Sequence, residues 1–245
     1  MRRVSGLPAV LAVLAVVSCT PVHVPPPPAD VVADGTSAFV IADGAGLYGL
    51  DGQTLTYRTS LPLGEKLALV GTTASVTQSG QRRSFLAVKD AAGALGWMRA
   101  DLLASRVVLA AVVDDEVPIL TLPAEGAQTG ATIPRGVVLA IDMATAGTPF
   151  LRVTGYDPSA KRSLTGAWIP NAGTSSQSVD VAAAVLLRLA AASDNATQRR
   201  AFLSSAQKDY PTSVFAPDVK AALDALNAPP PPTPADTATD SSSSS

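Results

Sequence analysis

Cysteine and histidine are almost missing from this chain of 245 residues: there is one of each, Cys19 and His23. Both precede the region whose composition suits a packed core. That region therefore offers no disulfide, no zinc site built on cysteine or histidine, no Cys–His pair and no Ser–His–Asp triad. No metal ion or other cofactor is expected. Charge is sparse as well. Charged residues make up 16% of the chain, the net charge is −2, and the basic pairs Arg82 with Arg83 and Arg199 with Arg200 stand alone. Binding a phosphate backbone takes a basic stripe, so nucleic acid is not an expected partner. A long hydrophobic run is also lacking. The apolar stretch at residues 4–17 falls short of the roughly 20 residues that cross a bilayer as a helix.

What is present begins with that stretch. Arg2 and Arg3 precede it, and the small Ser18 follows it. A basic start, a short apolar run and a small residue before the cut make a signal peptide, residues 1–18. Val16, Val17, Ser18 and Cys19 resemble the lipobox of bacterial lipoproteins, with valine in place of the commoner leucine at the first position. The resemblance implies cleavage before Cys19, a diacylglyceryl thioether on its sulfur and acylation of the new amino group. The partner it implies is a membrane, held through a lipid anchor. Each buried methylene contributes about 0.8 kcal/mol, and more than one acyl chain makes attachment stable. Thr20 follows where an aspartate often marks inner-membrane retention, so the outer membrane is favoured for this exported protein.

Proline, 20 residues in all, concentrates in two unbroken runs at residues 25–28 and 229–232. Such runs take the extended polyproline II form and stay out of a core. They bracket the folded region. Residues 19–35 read as a lipidated tether and residues 228–245, with their serine run, as a disordered tail.

From residue 36 the texture is short apolar runs broken by glycine and polar turns. Residues 39–42, 67–70, 86–88, 107–113, 137–141 and 151–153 read as strands. The segments recur in order. Leu61, Pro62, Leu63 and Gly64, then Leu67 to Val70 in sequence, Phe85 with Leu86, and Gly96 with Trp97 make one copy. Ile133, Pro134, Arg135 and Gly136, then Val137 to Ala140 in sequence, Phe150 with Leu151, and Gly166, Ala167 and Trp168 make the other. A repeat of about 70 residues suits a small domain better than a solenoid unit.

This order resembles the bacterial SH3 domain, over residues 36–105 and again over 106–173. The fold it implies is mainly β with an α tail: two small SH3-like β-barrels followed by a short helical bundle. The copies depart from the family at the groove. Neither Leu47 nor Ile119 is followed by the family's basic residue and turn, and phenylalanine (Phe85, Phe150) opens the strand that often opens with tryptophan. Trp97 and Trp168 are expected to cap the barrel cores, with ligand contact as the alternative. Tyr48, Tyr57 and Tyr156 are candidate ligand contacts on loops.

The remaining chemistry is thin. Asp114, Asp115 and Glu116 are adjacent, and neighbours in extended chain point to opposite faces. A solvated turn is therefore expected rather than a hydrolytic carboxylate pair. Lys66 and Lys89 would serve as bases only if buried.

Residues 178–227 are helical in pattern. A first helix over 179–192 has Ser178 as candidate N-cap and Val181, Val185 and Leu189 on one face. A second over 196–210 carries Phe202, Leu203, Ala206 and Tyr210, and Pro211 stops it. A third over 214–226 has the stripe Val219, Ala222, Leu223 and Leu226. This segment resembles a tetratricopeptide-type helix pair. A lone unit cannot bury its own face, so the stripe should fold back on the other helices and the second β unit.

The leading function is a non-enzymatic binding module for peptide, peptidoglycan or an envelope protein. The alternatives are a scaffold subunit of an envelope complex and, behind it, a hydrolase with an unrecognised site.

Overall fold

The computed structural model describes residues 31–78 and 80–228. The signal peptide, Cys19, both proline runs and the tail from residue 229 lie outside the described residues. The chain is mainly β, with two antiparallel sheets and three C-terminal helices.

A short strand, β1 (Val32–Ala33), comes first. The first β unit follows: β2 (Ser37–Val40), β3 (Ala45–Asp51), β4 (Thr54–Leu61), β5 (Lys66–Gln78), β6 (Gln81–Lys89), β7 (Leu95–Arg99), a 3₁₀ turn (Ala100–Leu102) and β8 (Leu103–Ala104). Its sheet runs β4-β3-β7-β6-β5-β2-β8. The second unit holds β9 (Val107–Val112), β10 (Glu116–Leu120), β11 (Gln128–Pro134), β12 (Val138–Asp142), β13 (Phe150–Asp157), β14 (Arg162–Pro170) and β15 (Thr174–Ser175). Its path, β11-β10-β14-β13-β12-β9 with β15 on the far edge of β9, is the same order strand for strand. The sequence repeat is thus a repeat of topology.

Closed barrels were expected, but hydrogen bonding makes two open sheets among the described residues. The reason lies at the ends of each path. In the first unit β8 is two residues long, and β4 exposes nearly every residue to solvent. A pairing between them would close the sheet, and no register joins them.

Two features separate the copies. Gly96, before Trp97, has no room for a side chain, since a Cβ would sit 2.5 Å from Leu47 Cδ1. In the second copy Val153 pairs with Ala167 and Thr154 with Thr165. Gly166 is therefore the extra residue. It bulges at φ +65°, a conformation glycine adopts at little cost. Ala167, not Gly166, takes the place of Gly96.

Each unit has its own core. Leu47, Leu67, Val88 and Met98 centre the first, and Ile133, Leu139, Leu151, Val153 and Ile169 the second. Trp97 and Trp168 are in neither. Strand alternation puts Met98 and Ile169 inward, so each preceding tryptophan faces the other way, half-buried. The expectation of core-capping indoles is corrected.

The helices are α1 (Ser178–Ala192), α2 (Ala196–Asp209) and α3 (Ala216–Asn227). Ser178 is the first helical residue, and Gln177 is the N-cap. The expected serine cap is replaced by an interior carboxylate. Asp180 is 2% exposed. It accepts from Ser175 Oγ at 2.6 Å, Ser213 Oγ at 2.9 Å and the Val214 amide at 2.9 Å. An anion in a first helical turn is favoured by the helix dipole, and this one also ties the α2–α3 connection to the start of α1. At α2 the cap is Asn195, whose side chain accepts from the Thr197 and Gln198 amides.

The first helix is apolar on nearly all sides, the mark of a buried helix. Val181, Ala184 and Val185 share a core with Phe39, Ile41, Leu63 and Ala104 of the first unit and Leu109, Ala111, Val138 and Ala140 of the second. Its other flank, Leu186 and Ala190, packs with Phe202, Leu203, Val219 and Leu223. The third-helix stripe does fold back. Arg135, between β11 and β12, fastens it: the guanidinium reaches Asp218 Oδ2 at 3.1 Å and the Val214 carbonyl at 2.8 Å, and lies 4.8 Å over the Phe215 ring.

The expected tether is shorter than residues 19–35. Val32 and Ala33 pair with Val108 and Val107 of β9, beside β15, and Ala33 is fully buried in the shared core. The chain's first described residues are thus part of the fold. No helix among the described residues is long and apolar enough to cross a membrane.

Candidate functional site

The outer face of the first sheet gathers the chain's scarce aromatics. Tyr48 on β3 is opposite Tyr57 on β4 and opposite Trp97 on β7, and Trp97 is opposite Ala87 on β6. Four strands thus contribute one row. The Tyr48 and Tyr57 rings sit 6.0 Å apart, edge to face, and the Tyr48 ring makes the same contact at 6.0 Å with the fully buried Phe85. Such pairs add about 0.5–1.5 kcal/mol beyond area burial. Phe85 is the floor, Tyr48 and Trp97 are half-buried, and Tyr57 is 58% exposed.

These residues are on strands, not on loops as expected. Gly46 and Gly49 make space: a Cβ on Gly46 would meet the Tyr48 hydroxyl at 2.7 Å and its ring at 2.8 Å, and one on Gly49 would meet Arg58 at 3.0 Å. Arg58 is an extra residue of β4, bulged between the Leu47–Thr59 and Tyr48–Tyr57 pairs. Its guanidinium donates to the Leu95 carbonyl, next to the aromatic row.

Two arginines flank the row along β6 and β7. Arg99 pairs with Phe85 across β6 and β7, and Arg83 shares the Phe85 side of β6 by alternation. Arg99 donates to both carboxylate oxygens of Asp101. That bond holds the Asp101 carboxyl below the usual carboxylate range, against the opposing effect of partial burial. Sequence reasoning missed Phe85 as a floor and Arg83 and Arg99 as a border, because the three come together only through strand pairing.

The second unit lacks this face. Trp168 is opposite the buried Leu120 and the exposed Arg152, where the first unit has Tyr48 and Ala87. The frame is shared and its aromatic dressing is not.

Tyr156, on β13, is 40% exposed and stands apart from the row. It lines a cleft between the units with Pro158, Ile41, Leu63, Asp43 and Arg188. Arg188 of α1 holds Asp43 through Nε at 2.7 Å and the second nitrogen at 2.6 Å. The free space there is about 10 Å3, little more than one water needs. A wider hollow of about 150 Å3 opens over Val108, Ile141 and Leu151 with Asn171, Thr174 and Ser176 at its rim, and no charged side chain lines it.

Comparison of the sequence with protein-family models and with curated proteins finds no match.

Asp114, Asp115 and Glu116 are exposed at the turn into β10. Asp157, 1% exposed, is engaged by Arg162 at 3.0 Å and by the Ser159 and Ala160 amides, which makes it a hairpin clasp. No group of three His, Cys, Asp or Glu side chains that could hold a metal lies among the described residues.

Proposed function

We propose that the protein is an exported lipoprotein, anchored through Cys19, that serves as a non-enzymatic binding module of the cell envelope. Its ligand surface is the aromatic row of Tyr48, Tyr57 and Trp97, and each β unit is a degenerate bacterial SH3 domain. The observation that carries the binding reading is that row: solvent-reaching rings backed by a buried Phe85 and assembled from four strands. A preformed, flat, partly apolar face binds with little ordering cost. The domain reading is supported by the strand order common to both copies and by the 3₁₀ turn between the last two strands of the first. The anchor reading rests on the lipobox-like residues and the single cysteine. The ligand class is a component of peptidoglycan or a peptide exposed in the envelope.

Co-sedimentation with purified sacculi tests the surface. Tyr57→Ala and Trp97→Ala should each weaken retention at least tenfold, and Tyr156→Ala should leave it unchanged. Equal retention of all three variants overturns the assignment. Cys19→Ser should shift the protein out of the membrane fraction or leave its signal uncleaved. If that variant is cleaved and still stays with membranes, the anchor is refuted.

A scaffold role is favoured by a different observation. The shared core locks β1, both units and α1 together, which suits a rigid spacer. Crosslinking in cells, with one envelope protein captured independently of Tyr57 and Trp97, would favour it.

A further inference from the structure

We propose that the hollow over Val108, Ile141 and Leu151 in the second β unit is a seat for one aliphatic side chain, of leucine size, carried by a peptide ligand. The seat lies apart from the aromatic row of the first unit and does not depend on it.

The first unit shows what the second leaves out. Hydrogen bonds match the two copies residue by residue. The Gly64 amide donates to the Val40 carbonyl, and the Gly136 amide donates to the Val112 carbonyl. The Ile41 amide donates to the Leu102 carbonyl, and the Val113 amide to the Gly173 carbonyl. Val40 thus corresponds to Val112. Leu103 is opposite Val40 in one copy and Thr174 is opposite Val112 in the other. Val40 and Val112 both belong to the cores of their units, and opposed residues share a face of the sheet, so Leu103 and Thr174 both stand on the core side. The walls correspond as well. Leu69 pairs with Val88 as Ile141 pairs with Val153, and Leu86 pairs with Met98 as Leu151 pairs with Ile169.

In the first unit the place is filled from within: Leu102 and Leu103 pack with Leu69 and Leu86 against the core. In the second unit Gly173 and Thr174 stand at the matching positions. Thr174 is short, and its hydroxyl turns back to donate to the Asn171 carbonyl at 2.9 Å. The opposite wall is Ala146 and Gly147, which are too small to reach across. What results is the hollow of about 150 Å3 whose floor, Ile141 and Leu151, is itself buried core. An apolar cavity of about this volume holds a benzene-sized molecule, and an isobutyl group is no larger.

The lining selects the occupant. Water over an apolar floor is readily displaced by an aliphatic group. No charged side chain lines the hollow, so the inserted group is neutral. Asn171, Thr174 and Ser176 at the rim carry both donors and acceptors. A peptide backbone, which also carries both, suits that rim better than a plain acyl chain does.

The test is a titration of the methyl-labelled full chain, followed by NMR, with N-acetyl-leucinamide as probe and N-acetyl-glycinamide as control. Methyl signals of Val108, Ile141 and Leu151 should shift saturably, and the leucine probe should bind at least tenfold more tightly than the control. Thr174→Leu copies Leu103. It should weaken the probe at least tenfold with an equal or higher melting temperature. Methyl signals that stay still, equal binding of the two probes, or parental affinity in Thr174→Leu would overturn the proposal. A response to methyl hexanoate with none to the blocked leucine assigns the seat to an acyl chain and overturns it too. If Thr174→Leu does not fold, Leu103→Ala decides the matter. Opening the corresponding place in the first unit should make the Leu69 and Leu86 methyls respond to the probe, and a silent first unit would refute the match between the copies. Tyr57→Ala should leave the titration unchanged. Loss of probe binding in that variant would move the probe to the aromatic row and defeat this inference alone, whereas sacculus retention indifferent to Tyr57→Ala defeats only the reading of the row.

Discussion

Asp180→Ala is the substitution that should damage this fold most for its size. The carboxylate is 2% exposed and accepts from two serine hydroxyls and one amide. Hydrogen bonds to a charged group are worth about 1.5–3 kcal/mol each. Ser213 is itself buried, so its hydroxyl and the Val214 amide would lose their acceptor where water is scarce. Ser175 can turn to solvent and contributes less. Two such bonds, with the helix-dipole contribution of about 0.3–1 kcal/mol, give a loss of about 3–7 kcal/mol, a large share of the 5–15 kcal/mol typical of a native protein. Urea unfolding should be followed by helical circular dichroism and by tryptophan emission. Both probes should move together to a lower midpoint with an unchanged slope, because α1 and both sheets share one core. Asp180→Asn keeps one acceptor oxygen and should lose about half as much. An alanine variant within about 0.5 kcal/mol of the parent would show that Asp180 does not hold the α2–α3 connection.

Trp97→Ala should cost less than about 2 kcal/mol while Met98→Ala costs about 2–5 kcal/mol, since Met98 is fully buried and Trp97 faces outward; the reverse order would return the indole to the core. A double-mutant cycle of Arg188→Ala with Asp43→Ala should give a coupling of about 1–2 kcal/mol, the pair being three-quarters buried, and a null coupling would free the first unit from α1. A fragment of residues 36–172 should expose Phe39, Leu109, Val138 and their neighbours, bind a hydrophobic dye and self-associate, whereas a dye-free monomer would show that α1 is dispensable. Asp101 should titrate, by carboxyl NMR, below the ordinary value of about 3.9, and Arg99→Ala should bring it back. Its folded pKa is depressed, so its contribution to stability is complete above the unfolded pKa and lost as pH falls through the folded one. The pair is partly exposed, which keeps that contribution small.

Much of the fold was legible locally. Residues 107–113 and 137–141 read as strands, and β9 and β12 are there. The order of Leu61 with Pro62, Phe85 and Trp97, matched by Ile133 with Pro134, Phe150 and Trp168, pointed to a duplication, and the two sheets have one topology. Three helices were legible from spacing and from Pro211. These are short-range signals: alternation, a 3.6-residue stripe, a residue that cannot continue a helix. The polar strands were not legible. Half of β4 is threonine or serine, and in the part of β5 beyond Val70 threonine, serine and glutamine leave only Ala74 and Val76 to alternate.

Other features depended on contacts between residues far apart in the chain. Neither strand of a pair announces its partner, so nothing local said that Tyr48 would stand between Tyr57 and Trp97, or that Phe85 would lie beneath it. Gly166 and Trp168 looked like a Gly-Trp step with an insertion; only pairing with β13 made the glycine the bulge and turned the indole outward. Val32 and Ala33 read as tether because two residues carry no periodicity, and the open edge of β9 made them a strand. Nothing local sets Asp180 apart in the first turn of α1; Ser213 and Val214 come back to it from the far side of α2. A sequence specifies which faces are apolar, and it takes the packing of those faces against each other to decide which residues are buried, which are left outside and which polar groups must meet.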